Sequence, residues 1–281
     1  MDAVSTTNPP QKKAGREFWN SNPCGGQWAS YREFMNWYHT VEPYMYDAVA
    51  RHSWQGRRVL EVGCGQGPLA NHLPSLGAIV VGMDMSDASL RRAAEGKREL
   101  GNDTLTLMHA DAERLPFADA SFDAVVSFGV LHHTPDTDGA VQEVRRVLKP
   151  GGTATVMLYR TGNPKWWATT LLRSWGHARD RRRAKRDRIA DRARGKHGVN
   201  DSRGTALLEL FGVPTLKAYS NREALAMFRG FSVVEIRNVQ PGFRRMADII
   251  PVLRAGAPVL GWIDRRFAGL WGFYQVIEAR R

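Results

Sequence analysis

The chain has 281 residues, is 43% hydrophobic and carries a formal charge of +12 at pH 7, which is long and apolar enough to bury the core of one sizeable domain. Its two cysteines, Cys24 and Cys64, stand far apart in unlike contexts; they exclude a cystine framework, make a zinc site unsupported and predict no metal. No stretch approaches the roughly 20 apolar residues of a membrane span, and the opening MDAVSTTNPPQKKAGREF has no apolar export core, so a cytoplasmic chain is expected.

The charge is uneven. Between Arg173 and Gly198 eleven Lys/Arg face three Asp, so two-thirds of the excess sits in one run and the rest of the molecule is only mildly basic.

In chain order, residues 1–16 are polar and contain Pro and Lys, and a disordered tail is expected there. Residues 17–55 are crowded with rings (Trp19, Trp28, Tyr31, Phe34, Trp37, Tyr38, Tyr44, Tyr46) and read as a helical cap, with Pro43 near the start of a helix running to about His52. Short apolar runs then alternate with helical segments. Strands are predicted at 57–62, 78–83, 104–109, 123–128 and 153–159. Helices are predicted at about 67–74, 86–99 and 137–148, the second capped by Ser86 and ended by Gly101, the third ended by Pro150-Gly151-Gly152. This βαβαβ run predicts a doubly wound α/β sheet.

A basic insert at about 161–216 follows, then a helix at 221–228 and a strand at 231–239. An apolar insert with helical pattern (about 240–270) precedes a last strand at 272–280. A strand that follows a strand breaks the βα alternation.

The first strand runs into Glu61-Val62-Gly63-Cys64-Gly65-Gln66-Gly67. Glycines there allow a tight turn and a close backbone approach to a ligand at the carboxyl edge of the sheet. The spacing GxGxG departs from the GxGxxG of dinucleotide sites. About 20 residues on, Asp84 ends the second strand, where a carboxylate can accept both hydroxyls of a ribose. These two features predict an adenosine ligand; a nicotinamide dinucleotide satisfies them equally.

VLEVGCGQG, VVGMDMS, HADAERLPFADASFDAVVS, GVLHHTPD and EVRRVLKPGG, in this order over about residues 57–160, resemble the successive motifs of class I S-adenosylmethionine-dependent methyltransferases. Within that class they look most like the branch of quinone C-methyltransferases and small-molecule enzymes. The resemblance implies a Rossmann-like seven-stranded sheet with the last strand antiparallel, making residues 56–281 one domain with inserts after strands 5 and 6. It implies that Glu61, Gly63, Cys64 and Gly65 line the methionine end of S-adenosyl-L-methionine, Cys64 being a small filler rather than a nucleophile. Asp84 would hold the ribose, Met85 would pack on adenine, Asp111 would take the adenine amino group with Ala112 beside it, and Ser127 would sit beneath the sulfonium.

The implied reaction is methyl transfer to an apolar or aromatic small molecule: a lipid, isoprenoid, quinone or secondary metabolite. An in-line displacement needs positioning above all, and a base only where the acceptor loses a proton. His133 and His132, just after the fourth strand, are the candidate bases, followed by Tyr38 and His39 in the cap; each is weighed against a plain packing role.

The basic run admits an alternative, an RNA methyltransferase using clustered Arg to neutralise phosphates, but no RNA-binding module accompanies it. Apolar residues at 167, 171, 172 and 175 share a helical face next to that run, a pattern suited to peripheral association with an anionic membrane through 163–196. The apolar insert could pair with a second copy of the chain.

Overall fold

The structure, a computed structural model, describes residues 9–25, 28–167, 170–171, 213–243 and 251–281. Residues 1–8, most of the basic insert including the whole run from Arg173 to Gly198, and residues 244–250 of the apolar insert lie outside the described residues.

In order, the elements are α1 (Pro9–Ser21), α2 (Tyr31–Val41), α3 (Pro43–Val49), β1 (Arg58–Val62), β2 (Ile79–Asp84), α4 (Asp87–Leu100), β3 (Leu105–His109), β4 (Phe122–Phe128), α5 (Thr137–Val147), β5 (Leu148–Tyr159), α6 (Asn221–Met227), β6 (Val233–Val239), α7 (Ala257–Trp271) and β7 (Tyr274–Arg280). They build a seven-stranded sheet of order β3-β2-β1-β4-β5-β7-β6. The pairs among β1 to β5 are parallel, while β7 runs antiparallel between β5 and β6. The seven-stranded Rossmann-like sheet with its antiparallel last strand is therefore as expected.

Central strands read as continuous apolar runs because both faces are covered. Alternate side chains supply two cores. Val59, Val126 and Met157 join Tyr44, Val49 and Trp54 beneath the cap helices. On the other face Leu60, Val125 and Leu158 join Val141, Val144 and Phe228 from α5 and its neighbour. The caps behave as the sequence predicts: the Ser86 hydroxyl accepts the Ser89 amide, and Gly101 ends α4 in the left-handed region at φ 68.

Three local readings are corrected. The helix expected at 67–74 is a set of turns closing in a single 3-10 turn, Leu73–Leu76, because Gly67 is left-handed at φ 78 and Pro74 cannot donate to a continuing ladder. Helix α5 stops at Val147, and the sheet takes up Leu148 and Lys149 before the glycines. The tail expected to be disordered through residue 16 is helical from Pro9 onward, where polar contacts to the body of the domain replace apolar burial as the ordering force. In the apolar insert, a 3-10 turn at Pro251–Gly256 leads into α7, which has non-helical angles at Phe267.

Arg146 explains why two distant motifs belong together. Its guanidinium reaches Glu143, Asp119 and the carbonyls of Leu115 and Phe117, while the Glu143 carboxylate accepts the Leu115 amide at 2.8 Å. The LPF loop is thus tied to α5 by a planar five-donor group in its own fork geometry. The Arg146 hydrogen bonds hold the Glu143 carboxyl below its usual range.

Gly96 lies in α4 where an added Cβ would overlap the Tyr31 ring, and Tyr31 is itself buried with its hydroxyl on the Gln66 carbonyl at 2.7 Å. Gly96→Ala is expected to cost about 1–3 kcal/mol by overpacking, more than the ~1 kcal/mol of helix propensity it gains, read as a lower urea midpoint.

Burial pushes His132 well below the usual histidine value, and His133 beside it adds to the effect. The folded state then binds fewer protons here than the unfolded chain once the pH drops below the unfolded value of about 6.5, so His132 makes the fold less stable as pH falls. His132→Leu should therefore gain in Tm relative to wild type between pH 7 and pH 5; a constant difference would refute the assignment.

Candidate active site

The candidate cofactor residues fall at or just after the carboxyl ends of β1 to β4, where open parallel sheets bind ligands; His132 and His133 follow β4, while Tyr38 and His39 stand in α2. The turn after β1 is made by three left-handed glycines, Gly63, Gly65 and Gly67, at φ 73, 54 and 78. Gly63 is obligatory, since a Cβ there would overlap Val130, whereas the space in front of Gly65 is open to 4 Å. A ligand can therefore lie directly against the backbone at Gly65. The amides of Gly63 and Cys64 both donate to the Met83 carbonyl at 2.8 Å, which fixes the turn to the end of β2. Cys64 is buried, free of any disulfide, and its thiol is raised well above the usual range, by burial first and then by Glu61 and Asp84. It is a packed thiol, as expected.

Asp84 closes this turn from the other side. One carboxylate oxygen accepts the Gly65 amide and the other the Ser86 amide, both at 2.8 Å. Burial raises its pKa, while these amides and His109 oppose the shift. Glu61 is buried with Oε2 unpartnered, and its pKa is raised well above the carboxylate range by burial and then by Asp84. Two carboxylates thus crowd the glycine turn, and among the described residues no ion pair joins either of them to a cation.

Asp111 and Ala112 follow β3. Asp111 keeps 41% of its side chain exposed, and its Oδ1 accepts the Glu113 amide. Met85 is half-buried, and its carbonyl meets His109 Nε2 at 3.0 Å. Ser127 is fully buried at the end of β4 and donates to the Val62 carbonyl at 2.9 Å. These positions form one band from the glycine turn across the ends of β1 to β4, and the band fits S-adenosylmethionine: a cofactor with an ammonium and a sulfonium meets buried carboxylates, one of which has an orphaned oxygen, and an open glycine backbone.

Beside the band lies an aromatic cluster that the sequence did not disclose. His132 is completely buried and stacks on Tyr159 at 4.0 Å and on His133 at 4.3 Å between ring centroids. Tyr159 continues to Phe273 and Tyr274 at 4.8 and 5.4 Å, and Tyr274 to Tyr44 at 5.1 Å. Tyr159 ends β5 and Tyr274 begins β7, directly opposite each other in register, so the antiparallel strand is what carries its ring to this edge. Among the described residues neither nitrogen of His132 has a hydrogen-bond partner of ordinary geometry, although the Met157 backbone lies close enough to offset part of the burial effect. His133 Nδ1 lies 2.8 Å from the Thr215 carbonyl, so that nitrogen is the donor and Nε2 the basic position.

Tyr38 packs against Phe34 and Trp37 in the cap and on the same core as Tyr44 and Tyr274. Burial holds its hydroxyl far above the usual phenol range, with Glu42, Cys24, Tyr46 and Tyr274 adding to the shift. It remains a neutral phenol, suited to a wall rather than a base. His39 is exposed and stacks on Tyr46 at 4.5 Å.

Comparison with known proteins bears on the domain and its fold. A family model described as a methyltransferase domain matches residues 60–156. Over 99 residues the chain is 41% identical to the ubiquinone biosynthesis O-methyltransferase of Paracidovorax citrulli, covering 35% of this chain and 42% of that protein. Over 122 residues it is 38% identical to the sterol 24-C-methyltransferase of Aspergillus fumigatus, covering 40% of this chain and 32% of the relative. The chain thus spans less than half the length of these curated relatives. The solved structure of an S-adenosylmethionine-dependent methyltransferase from Mesorhizobium loti shares the fold at a TM-score of 0.54 and 20% identity, covering 85% of this chain and 96% of the other. Residues 60–156 thus match a methyltransferase domain, and the described fold is shared with a solved S-adenosylmethionine-dependent methyltransferase.

Proposed function

We propose that the protein transfers a methyl group from S-adenosylmethionine to a small apolar or aromatic acceptor held against the His132, Tyr159, Tyr274 and Tyr44 cluster. The observation that carries this reading is the position of that cluster: rings packed 4.0 to 5.4 Å apart reach Phe128, next to Ser127, through Tyr44 at 6.2 Å, at the same sheet edge as the carboxylate-lined glycine turn. Flat rings supply apolar area with defined geometry for an aromatic or isoprenoid acceptor. The names of the two relatives point to quinone-type and sterol acceptors.

When bound, the cofactor supplies a methyl group already activated on a sulfonium. The chain has to place and shield it. Asp84, its oxygens pre-set by two backbone amides, would hold the ribose side, and Glu61 and the glycine backbone would take the amino-acid end. Asp111 with Ala112 and Met85 would serve the adenine, and Ser127 would stand near the sulfonium. Where the acceptor atom carries a proton, His133 accepts it at Nε2 as the methyl group is transferred, its ring held by the Thr215 carbonyl. His132, stacked between His133 and Tyr159, is a positioning residue in this scheme, and Tyr38 is part of the wall.

The first test is calorimetric titration with S-adenosylhomocysteine, with NAD run in parallel. Micromolar binding of the former alone is expected, and tight NAD binding would refute the reading. Asp84→Ala should weaken binding by one to two orders of magnitude, on the scale of lost charge-assisted hydrogen bonds. His133→Ala should lower turnover about 10²-fold or more while leaving that affinity unchanged, assayed by methyl transfer from labelled S-adenosylmethionine to quinol and sterol acceptors.

A second reading, peripheral contact with an anionic membrane, is favoured by one observation: Trp167 and Leu171 are 67% and 62% exposed at the mouth of the basic insert. Among the described residues no helix is long and apolar enough to cross a membrane, and an interfacial contact needs none. Intrinsic tryptophan emission should shift to the blue on adding phosphatidylglycerol vesicles and stay put in Trp166→Ser/Trp167→Ser; no shift in wild type would refute this contact.

A further inference from the structure

Helix α1 buries none of its residues, yet it crosses the mouth of the cofactor site and touches the loops after three successive strands. After β2, the Ser86 hydroxyl donates to the Trp19 carbonyl and the Ala88 amide to Asn20 Oδ1, at 3.2 and 3.3 Å. After β3, Lys12 Nζ stands 2.6 Å from both Asp111 Oδ2 and Glu113 Oε2. After β4, Trp19 meets the edge of His133 at 5.4 Å, and in the segment before α6 Thr215 Oγ1 accepts from Gln11 Nε2 at 2.8 Å. Thr215 is the residue whose carbonyl orients His133.

Of these contacts the Lys12 pair is distinguished by burial. The Glu113 side chain is 2% exposed and that of Lys12 18%. Glu113 Oε1 accepts the Asp136 amide at 2.7 Å, and Lys12 is the cation that meets its other oxygen. A carboxylate held this far from water is costly unless its counter-charge is in place, and the docked position of α1 is the one that supplies that charge. Asp111 shares the same ammonium but keeps 41% of its side chain exposed, which leaves it a face for a second ligand. A carboxylate oxygen accepts more than one hydrogen bond, so Asp111 can serve Lys12 and an adenine amino group together.

We propose that Lys12 is a cofactor-retaining residue: by pairing with Asp111 and Glu113 it latches α1 over the adenosine half of the site, so that S-adenosylmethionine or its product leaves only when this ion pair opens. The proposal rests on the cofactor assignment above. It makes α1 a positioning element of the site, holding Asp111 and, through Trp19 and Thr215, the His133 ring.

The test uses the full chain. Dissociation of S-adenosylhomocysteine is followed by stopped-flow displacement, and amide exchange of α1 is measured in the ligand-free protein. Lys12→Met should raise the dissociation rate about tenfold or more, with the association rate changed far less, and should speed exchange across Pro9–Ser21. Lys12→Arg should restore slow release. Lys12→Met/Glu113→Gln, which leaves no unpaired buried carboxylate, should release as fast as Lys12→Met alone, separating the latch from a folding defect. Wild type that binds S-adenosylhomocysteine while Lys12→Met releases it at the same rate, or more slowly, would overturn the latch alone. Wild type that fails to bind it would overturn the cofactor assignment and the latch with it.

Discussion

The Asp84 carboxylate holds the site together. Its two oxygens accept amides from the turn after β1 and from the start of α4, so a single side chain at the end of β2 sets the glycine turn, the first turn of a helix and the ligand-facing edge between them. The Ser86 hydroxyl extends the same junction by accepting from the Ser89 amide and donating to the Trp19 carbonyl. Charged acceptors make hydrogen bonds roughly twice as strong as neutral ones, which is why a left-handed glycine turn with little packing of its own can be held rigid here.

Charge sets the same edge apart. The chain as a whole is strongly basic, yet Glu61, Asp84, Asp111 and Glu113 converge at the carboxyl ends of β1 to β3. Glu61 and Asp84 have raised pKa values because burial penalises their ionised forms. A site of this kind gains most from a ligand that brings its own positive charge, as a sulfonium with an ammonium does. Lys12 offers a local cation to Asp111 and Glu113, farther from the glycine turn, so the two sources of positive charge serve different parts of one acidic band.

The motifs that carry the family resemblance divide into two kinds. VLEVGCGQG and VVGMDMS supply the glycine turn and Asp84 at the carboxyl edge of the sheet, the proposed ligand face. Much of HADAERLPFADASF and EVRRVLKPGG instead serves the fold, since Arg146 gathers Glu143, Asp119 and the Leu115 and Phe117 carbonyls into one knot. That knot keeps β4 and α5 in place, and with them Ser127 and the His132-His133 turn. A methyltransferase signature read along the chain therefore records scaffold as well as chemistry.

Strand runs, the glycine turn, Asp84 and the capping of α4 by Ser86 and Gly101 were legible in the sequence because each depends on neighbours within a few residues: alternation, a left-handed backbone, a hydroxyl three residues from an amide. Position along the chain also sufficed to bring Glu61, Asp84, Asp111 and Ser127 to one edge, since parallel strands joined by helices all end there. The helix misread at 67–74 failed on equally local grounds, a left-handed Gly67 and Pro74, whose effects outweighed the apolar spacing. Tertiary structure alone decided the rest. Tyr159 and Tyr274 meet because β7 enters the sheet antiparallel beside β5, His133 is oriented by a carbonyl 82 residues away, and Lys12 finds its partners 99 and more residues along the chain. Contacts of that span follow from strand order and from which polar groups the fold leaves buried and uncompensated, and neither is written in any local pattern.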